Sequence, residues 1–277
     1  MVDLHVHSTA SDGTYTPAEL VAYATEKKIT AFALTDHDTV AGLDEAMDAA
    51  VGSSVEVIPG IEFSTEYNGK DIHIVGLNID YKNPFFTEKL TQFIRSRDTR
   101  NEKMCELLTN FGMKITLPEL SERFPDSVIT RAHFARFLLE HNYISKIETA
   151  FEKYIGDNCP CYVPREKVNP VQAIRLIREA GGIPVLAHPP LYKLPADALE
   201  ELVAALSKQG LLGIEAIYST YNRADENQMR LLAKRYQLGI SGGSDFHGKN
   251  KPYIDLGVGR GNLKVPDEIW TNLKKKV

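Results

Sequence analysis

The stretch Val2-Asp3-Leu4-His5-Val6-His7 decides how the rest of the chain is read. Leu4 and Val6 alternate with His5 and His7, the period of a half-buried strand. Side chains two apart share a face, so this strand delivers two imidazoles together at its end. Asp245-Phe246-His247 repeats that geometry with a carboxylate and an imidazole. Outward from the first strand, Thr16-Pro17-Ala18-Glu19 reads as a helix start: Thr16 caps, Pro17 suits the first helical position and Glu19 completes a capping box. A second strand is expected over Ile29 to Thr35, a helix around Leu43 to Ala50, and a third strand over Val55 to Ile61 leading into Glu62. Asn68-Gly69 between two β-prone segments is a hairpin signal, with His73, Val75 and Leu77 on the return strand.

From about Pro84 to Val168 the βα alternation gives way to helical patterns: Leu90 to Phe111, Arg131 to His141 and Ile147 to Tyr154. It then resumes. Asn169-Pro170 opens a helix, Gly181-Gly182 ends it, and Ile183 to Ala187 is a buried strand leading to His188. Helix 195–208, strand 213–217, helix 224–236, strand 238–241 and a helix from Pro266 follow. Repeated βα units around a helical block predict an α/β fold, a (β/α) barrel or related layer fold. The barrel is expected over 1–83 and 169–277, with 84–168 inserted as a helical subdomain over the active site.

Composition narrows the function classes. The 277 residues carry 32 Lys+Arg against 37 Asp+Glu, a formal charge of −5. That balance disfavours a broad basic surface for long duplex DNA, yet allows a short anionic substrate. Three cysteines, an odd number, argue against a disulfide framework. No apolar run approaches the roughly 18 residues of a membrane span. The chain opens directly in its first strand, which leaves no room for a signal peptide, so a cytoplasmic protein is expected. No obligate protein partner is evident.

Histidine is the informative residue. Six of the eight His, together with Asp12, Glu62 and Asp245, fall mostly at or just beyond the ends of expected strands. In a parallel barrel those ends converge on one rim, where active sites are built. A single His at a strand end is more often a hydrogen-bonded packing residue, and an isolated His-x-His is a weak signal. The ordered set of His5, His7, Asp12, His37, Glu62, His73, His188, Asp245 and His247 is different, because independent packing would not place each one at a strand exit. Imidazole with carboxylate and without thiolate suits Zn²⁺, Mn²⁺ or Fe²⁺. Nine ligands exceed the needs of one ion but serve two or three, with a carboxylate such as Glu62 bridging. Paired metals of this kind stabilise the attacking and leaving oxygens in phosphoryl transfer and supply a hydroxide nucleophile at neutral pH. No Gly-x-Ser-x-Gly elbow or Walker A loop occurs, which disfavours acyl hydrolases and P-loop kinases.

His5-Val6-His7-Ser8, Thr35-Asp36-His37-Asp38, the Glu62 and His73 segments, Ala187-His188-Pro189 and Gly243-Ser244-Asp245-Phe246-His247 resemble the ordered motifs of the PHP (polymerase and histidinol phosphatase) phosphoesterases. Ser8-Thr9-Ala10-Ser11-Asp12-Gly13, Gly69-Lys70-Asp71-Ile72-His73 and Ile129-Thr130-Arg131-Ala132-His133 are similar to a narrower branch. Its members remove the 3′-phosphate of nucleoside 3′,5′-bisphosphates and trim short RNA from the 5′ end. The resemblance spans essentially the whole chain. It implies a distorted (β/α)7 TIM-like barrel holding two or three divalent ions, with Mn²⁺ ahead of Fe²⁺ and Zn²⁺. It also implies one ion on His5, His7, Glu62 and Asp245, a second on Glu62, His73 and His188, and a third on Asp12, His37 and His247. Related sequences often follow the His-Pro motif with a basic residue; here Pro190-Leu191-Tyr192 follows.

The expected activity is therefore metal-dependent hydrolysis of a small anionic nucleotide or short single-stranded RNA. Histidinol-phosphate phosphatase is the alternative, and a non-catalytic metal-binding module ranks last. Glu62, His37 and His247 are the catalytic candidates, the two histidines as proton donors to the departing alkoxide. Arg131 and His133 are expected to face phosphate from a helix start near Thr130, where first-turn N–H groups favour an anion. Arg165 is a further candidate for the cleft. Glu215, at a strand end, is a candidate support for a ligand imidazole.

Overall fold

The computed structural model describes residues 1–125, 127–163 and 168–277, apart from the side chains at 94, 96 and 97. Strand β1 (Val2–Val6) is buried at every position and lies parallel to β2 (Ala31–Leu34). Between them, α1 (Pro17–Glu26) starts at the expected capping box: Thr16 Oγ1 accepts from the Glu19 N–H at 3.2 Å, and Glu19 accepts from the Thr16 N–H at 2.8 Å. Leu20, Val21 and Ala24 form its buried face. Helix α2 (Leu43–Ala50) leads to β3 (Glu56–Tyr67), parallel to β2. β3 runs past Glu62 because the Asn68-Gly69 turn, with φ of 49° and 74°, folds the chain straight back into β4 (Lys70–Leu77). Positive φ at both turn residues matches the hairpin twist.

Four helices follow: α3 (Pro84–Asn110), α4 (Leu117–Arg123), α5 (Arg131–Glu140) and α6 (Ile147–Ala150), the last continued by a π-helical turn over Phe151–Ile155. The βα alternation then returns with α7 (Pro170–Glu179), β5 (Ile183–Leu186), α8 (Ala196–Ser207), β6 (Gly213–Tyr218), α9 (Arg223–Arg235), β7 (Gly239–Gly243) and α10 (Asp267–Lys274).

The seven strands pair in sequential order, and the last returns beside the first. Val6 bridges Phe246, the Asp245 N–H donates to His5 O at 2.9 Å, and the Val2 N–H donates to Val265 O at 3.0 Å. The sheet is thus nearly closed into a TIM-like barrel. Its distortion has one source: β4 is antiparallel to both β3 and β5, whereas the other pairs are parallel. Strand β7 is poor in β-formers (Gly239-Ile240-Ser241-Gly242-Gly243), yet it sits where bulk is forbidden. A Cβ on Gly243 would lie 2.5 Å from His5 Cβ and 2.6 Å from His5 N.

The chain divides into two compact units, Met1–Glu88 with Val168–Val277, and Lys89–Lys167. The first division falls inside α3 rather than at Pro84. Asn83 Oδ1 accepts from the Phe85 and Phe86 N–H groups at 3.0 and 3.2 Å and so starts the helix early. Phe86 is buried 6.2 Å from the Phe63 ring on β3, which ties the first turn of α3 to the barrel unit. The helical unit has its own core, built around Met104, Leu108, Leu120, Phe134, Leu138 and Ile155.

Candidate metal centre

All nine sequence-selected residues converge on one rim of the barrel. β1 carries His5 and, just past its end, His7; β3 carries Glu62 and β4 His73. Asp12, His37, His188, Asp245 and His247 lie in the segments after β1, β2, β5 and β7. The donor atoms gather into four overlapping nests: His7, Asp12, His37 and His247; His5, His7 and Asp245; His5, Glu62 and His188; and His37, Glu62 and His73.

Glu62 belongs to two of these nests and is only 1% exposed. Its Oε2 lies 3.2 Å from His5 Nε2, 3.3 Å from His7 Nε2 and 3.1 Å from His37 Nδ1. Its Oε1 lies 2.8 Å from His73 Nδ1 and 3.0 Å from His188 Nε2. The two oxygens thus face different sets of imidazoles. Asp245 Oδ1 is 3.3 Å from His7 Nε2 and 3.8 Å from His5 Nε2, and Asp12 Oδ1 is 3.2 Å from His247 Nε2. The cluster is sealed over most of its surface; His37 and His73 mark its partly exposed side.

These residues fit divalent ions. The buried nitrogens His5 Nε2, His7 Nε2 and His37 Nδ1 lie within 3.3 Å of carboxylate oxygens yet make no aligned hydrogen bond. Native proteins rarely leave such atoms orphaned without a partner such as an ion. Donor atoms of several residues gathered within 4.8 Å of one another are what a chelate requires.

Charge follows the same pattern. Burial opposes ionisation of Glu62, but the imidazoles of His5, His37 and His73 overcome it and hold the carboxyl well below its usual range. Burial likewise opposes the charge of Asp12 and Asp245; His247 and His37 around the first, and Lys251 and His247 around the second, keep both well below it. Burial depresses His37 well below the ordinary imidazole value and, with Lys251 and His7, also lowers His247. Burial thus favours the neutral form of both rings, the form that ligates a cation.

Surrounding groups orient the cluster. The Glu215 carboxylate, on β6, is 3.2 Å from His5 Nδ1 and accepts the His188 N–H at 2.7 Å, so it restrains two candidate ligands at once. Asp36 accepts from the Ser8 N–H at 2.8 Å and from the Ser8 and Ser11 hydroxyls at 2.6 and 2.5 Å, fixing the loop that presents Asp12. Asp38 accepts the Ser64 N–H at 2.9 Å. The Tyr192 hydroxyl donates to Ala187 O and sits 3.3 Å from His73 O, joining the ends of β4 and β5. His188 and Asp245 themselves hold left-handed backbone, with φ of 32° and 57°.

Sequence reasoning missed two residues at Asp245: the Tyr218 hydroxyl donates to Oδ2 at 2.5 Å, and Lys251 Nζ donates to the same oxygen at 2.6 Å. Tyr218 closes β6, and that strand end was its signal. Lys251 comes back to the site through a one-turn 3-10 helix (Gly248–Asn250), which no periodicity announces.

The expected substrate contacts are placed differently. Thr130 does cap α5, but His133 turns back to it: His133 Nδ1 accepts the Thr130 N–H at 3.0 Å, and the ring stacks 4.4 Å from Phe124. His133 is thus a buried capping and packing residue of the helical unit, not an outward phosphate contact. Arg131 is bound to Asp157 at 2.9 Å, with its guanidinium 5.6 Å from the Tyr162 ring. Arg165 lies outside the described residues.

The PHP domain model matches residues 3–157, more than half of the chain. The chain belongs to the PHP family. The 5′-3′ exoribonuclease Rnm of Escherichia coli K12 is 38% identical over 92% of this PHP chain and 87% of its own. The 3′,5′-nucleoside bisphosphate phosphatase of Chromobacterium violaceum is 32% identical and spans 100% and 97% of the two chains. Among solved structures, a proposed metal-dependent phosphoesterase from Bifidobacterium adolescentis superposes with a TM-score of 0.87 at 26% identity, covering 99% of this chain and 96% of that one.

Proposed function

We propose that this PHP protein is a metal-dependent phosphoesterase that removes the 3′-phosphate of nucleoside 3′,5′-bisphosphates and trims short RNA from the 5′ end. The observation that carries the metal-dependent reading is Glu62, a buried carboxylate whose two oxygens face separate groups of imidazoles. The substrate class rests on the full-length likeness to a bisphosphate phosphatase and an exoribonuclease. Divalent ions held there supply charge neutralisation of the phosphoryl group and a polarised water for in-line attack. The chain's own residues do the rest: His5, His7, His73 and His188 with Glu62 and Asp245 hold the cations, and Glu215 holds the His5 imidazole and the His188 backbone N–H. His37 and His247, grouped with Asp12 in one nest, act with it as ligands before they act as acids. Arg131 remains a candidate phosphate contact if the anion displaces Asp157, as does Arg165. Mn²⁺ is the preferred ion because carboxylate and imidazole together suit it and a phosphoryl substrate adds oxygen ligands. Among the described residues no helix is long and apolar enough to cross a membrane, in keeping with a cytoplasmic enzyme.

A phosphate-release panel in Mn²⁺ tests the reading. Adenosine 3′,5′-bisphosphate and a short 5′-phosphorylated RNA should be turned over well ahead of 5′-AMP and histidinol phosphate. Preference for histidinol phosphate sinks the substrate assignment, and inactivity on all four with metal bound sinks the enzyme reading.

A further inference from the structure

Asp245 is asymmetric in its surroundings. Oδ1 faces the imidazoles of His5, His7 and His247 at 3.8, 3.3 and 3.3 Å. Oδ2 faces away from them and takes two hydrogen bonds, from the Tyr218 hydroxyl and the Lys251 ammonium. With both donors in place only Oδ1 is free for an ion, so the carboxylate is set up as a one-oxygen ligand. The donors differ in charge. Tyr218 is a buried neutral group that orients Oδ2, while Lys251, with its side chain 32% exposed, brings a full positive charge to the edge of a cation site.

We propose that Lys251 is a positioning residue that tunes this centre: its ammonium, held on Asp245 Oδ2, weakens binding of the ion in the nest of His5, His7 and Asp245. A carboxylate already half-neutralised by an ammonium donates less charge to a cation, and the two cations repel directly. An ion bound in that way keeps more of its own charge for the substrate's phosphoryl oxygens. The geometry separates this role from orientation, because Tyr218 still holds Oδ2 when the ammonium is removed. The inference rests on the metal-dependent reading above and extends it to a residue outside the ligand set.

The test is Mn²⁺ titration of the chelator-stripped full chain, with free Mn²⁺ read by electron paramagnetic resonance. Lys251→Met and Lys251→Gln should each tighten one class of Mn²⁺ site by at least about tenfold, and Lys251→Arg should stay within about threefold of the parent. Circular dichroism checks that each variant is folded, and the half-exposed position tolerates both neutral side chains. Neutral variants that bind Mn²⁺ as the parent does, or more weakly, overturn the assignment. So does an arginine variant that behaves like the neutral ones. A parent protein that binds no Mn²⁺ overturns the metal-centre reading itself, so the two failures are told apart.

Discussion

Glu62 concentrates the chemistry at the scale of a residue. Its two oxygens reach across the cluster, to His5, His7 and His37 on one side and to His73 and His188 on the other. Glu62→Gln keeps the shape and removes both the charge and one acceptor oxygen. The amide can no longer serve two ions, and the surrounding imidazoles lose the anion that draws them together. Mn²⁺ bound per chain should fall by at least one, and kcat by at least about 100-fold, the scale expected when several kcal/mol of metal-ion stabilisation is withdrawn. Metal analysis alongside steady-state kinetics checks it; near-parental activity would refute the bridging role.

Elements determine where those side chains sit, and β7 shows how tightly. Gly243 lies against His5 on β1, and an added methyl would collide with both the Cβ and the backbone nitrogen of that residue. Neither contact atom is the free end of a flexible chain, so β1 or β7 must move. Gly243→Ala should cost about 1–3 kcal/mol in urea unfolding and weaken Mn²⁺ binding with it. An alanine variant as stable as the parent would show that the strands separate easily. The same strand marks a limit of what the sequence discloses. Period-two alternation gave away β1 and the Asn68-Gly69 hairpin, because local chemistry sets both. Gly239-Ile240-Ser241-Gly242-Gly243 lacks strand propensity, and the strand expected over 238–241 rested on the resumed βα alternation. The antiparallel setting of β4 against β5 was invisible, since it depends on a partner more than a hundred residues away. Strand-exit ligands were legible because barrel topology projects them onto one rim. Lys251 depends on a three-dimensional return of the chain that no residue spacing encodes, whereas the cap made by His133 on Thr130 is a local three-residue contact that the capping-box spacing could have shown.

For the whole molecule, the balance of charge is the governing quantity. An acidic chain of net charge −5 buries three carboxylates of its metal centre among imidazoles. Two or three divalent ions would bring roughly +4 to +6 to that one place, so the loaded protein would carry a local positive site on an acidic body. Such a distribution suits a compact, multiply charged anion better than an extended duplex. It also couples stability to metal. An ion bound to the folded chain alone contributes about 2.7 kcal/mol at a concentration 100 times its Kd. For a chain of this length that corresponds to a rise in melting temperature of roughly 5 °C. Calorimetric scans with increasing Mn²⁺ should show the rise, and EDTA should reverse it. Melting that ignores both additions contradicts the centre.

The left-handed backbone at His188 and Asp245 has a consequence for the history of the chain. Glycine occupies that conformation without penalty, while a non-glycine residue held there costs on the order of 1–3 kcal/mol. Backbone conformation alone therefore favours glycine at both positions, and it is opposed by the work of the centre and, at Asp245, by the bonds from Tyr218 and Lys251. A duplicated copy released from catalysis would lose the functional reason to hold these two residues in that conformation. Loss of His188 or Asp245 to glycine in a descendant would be a signature of a retired enzyme.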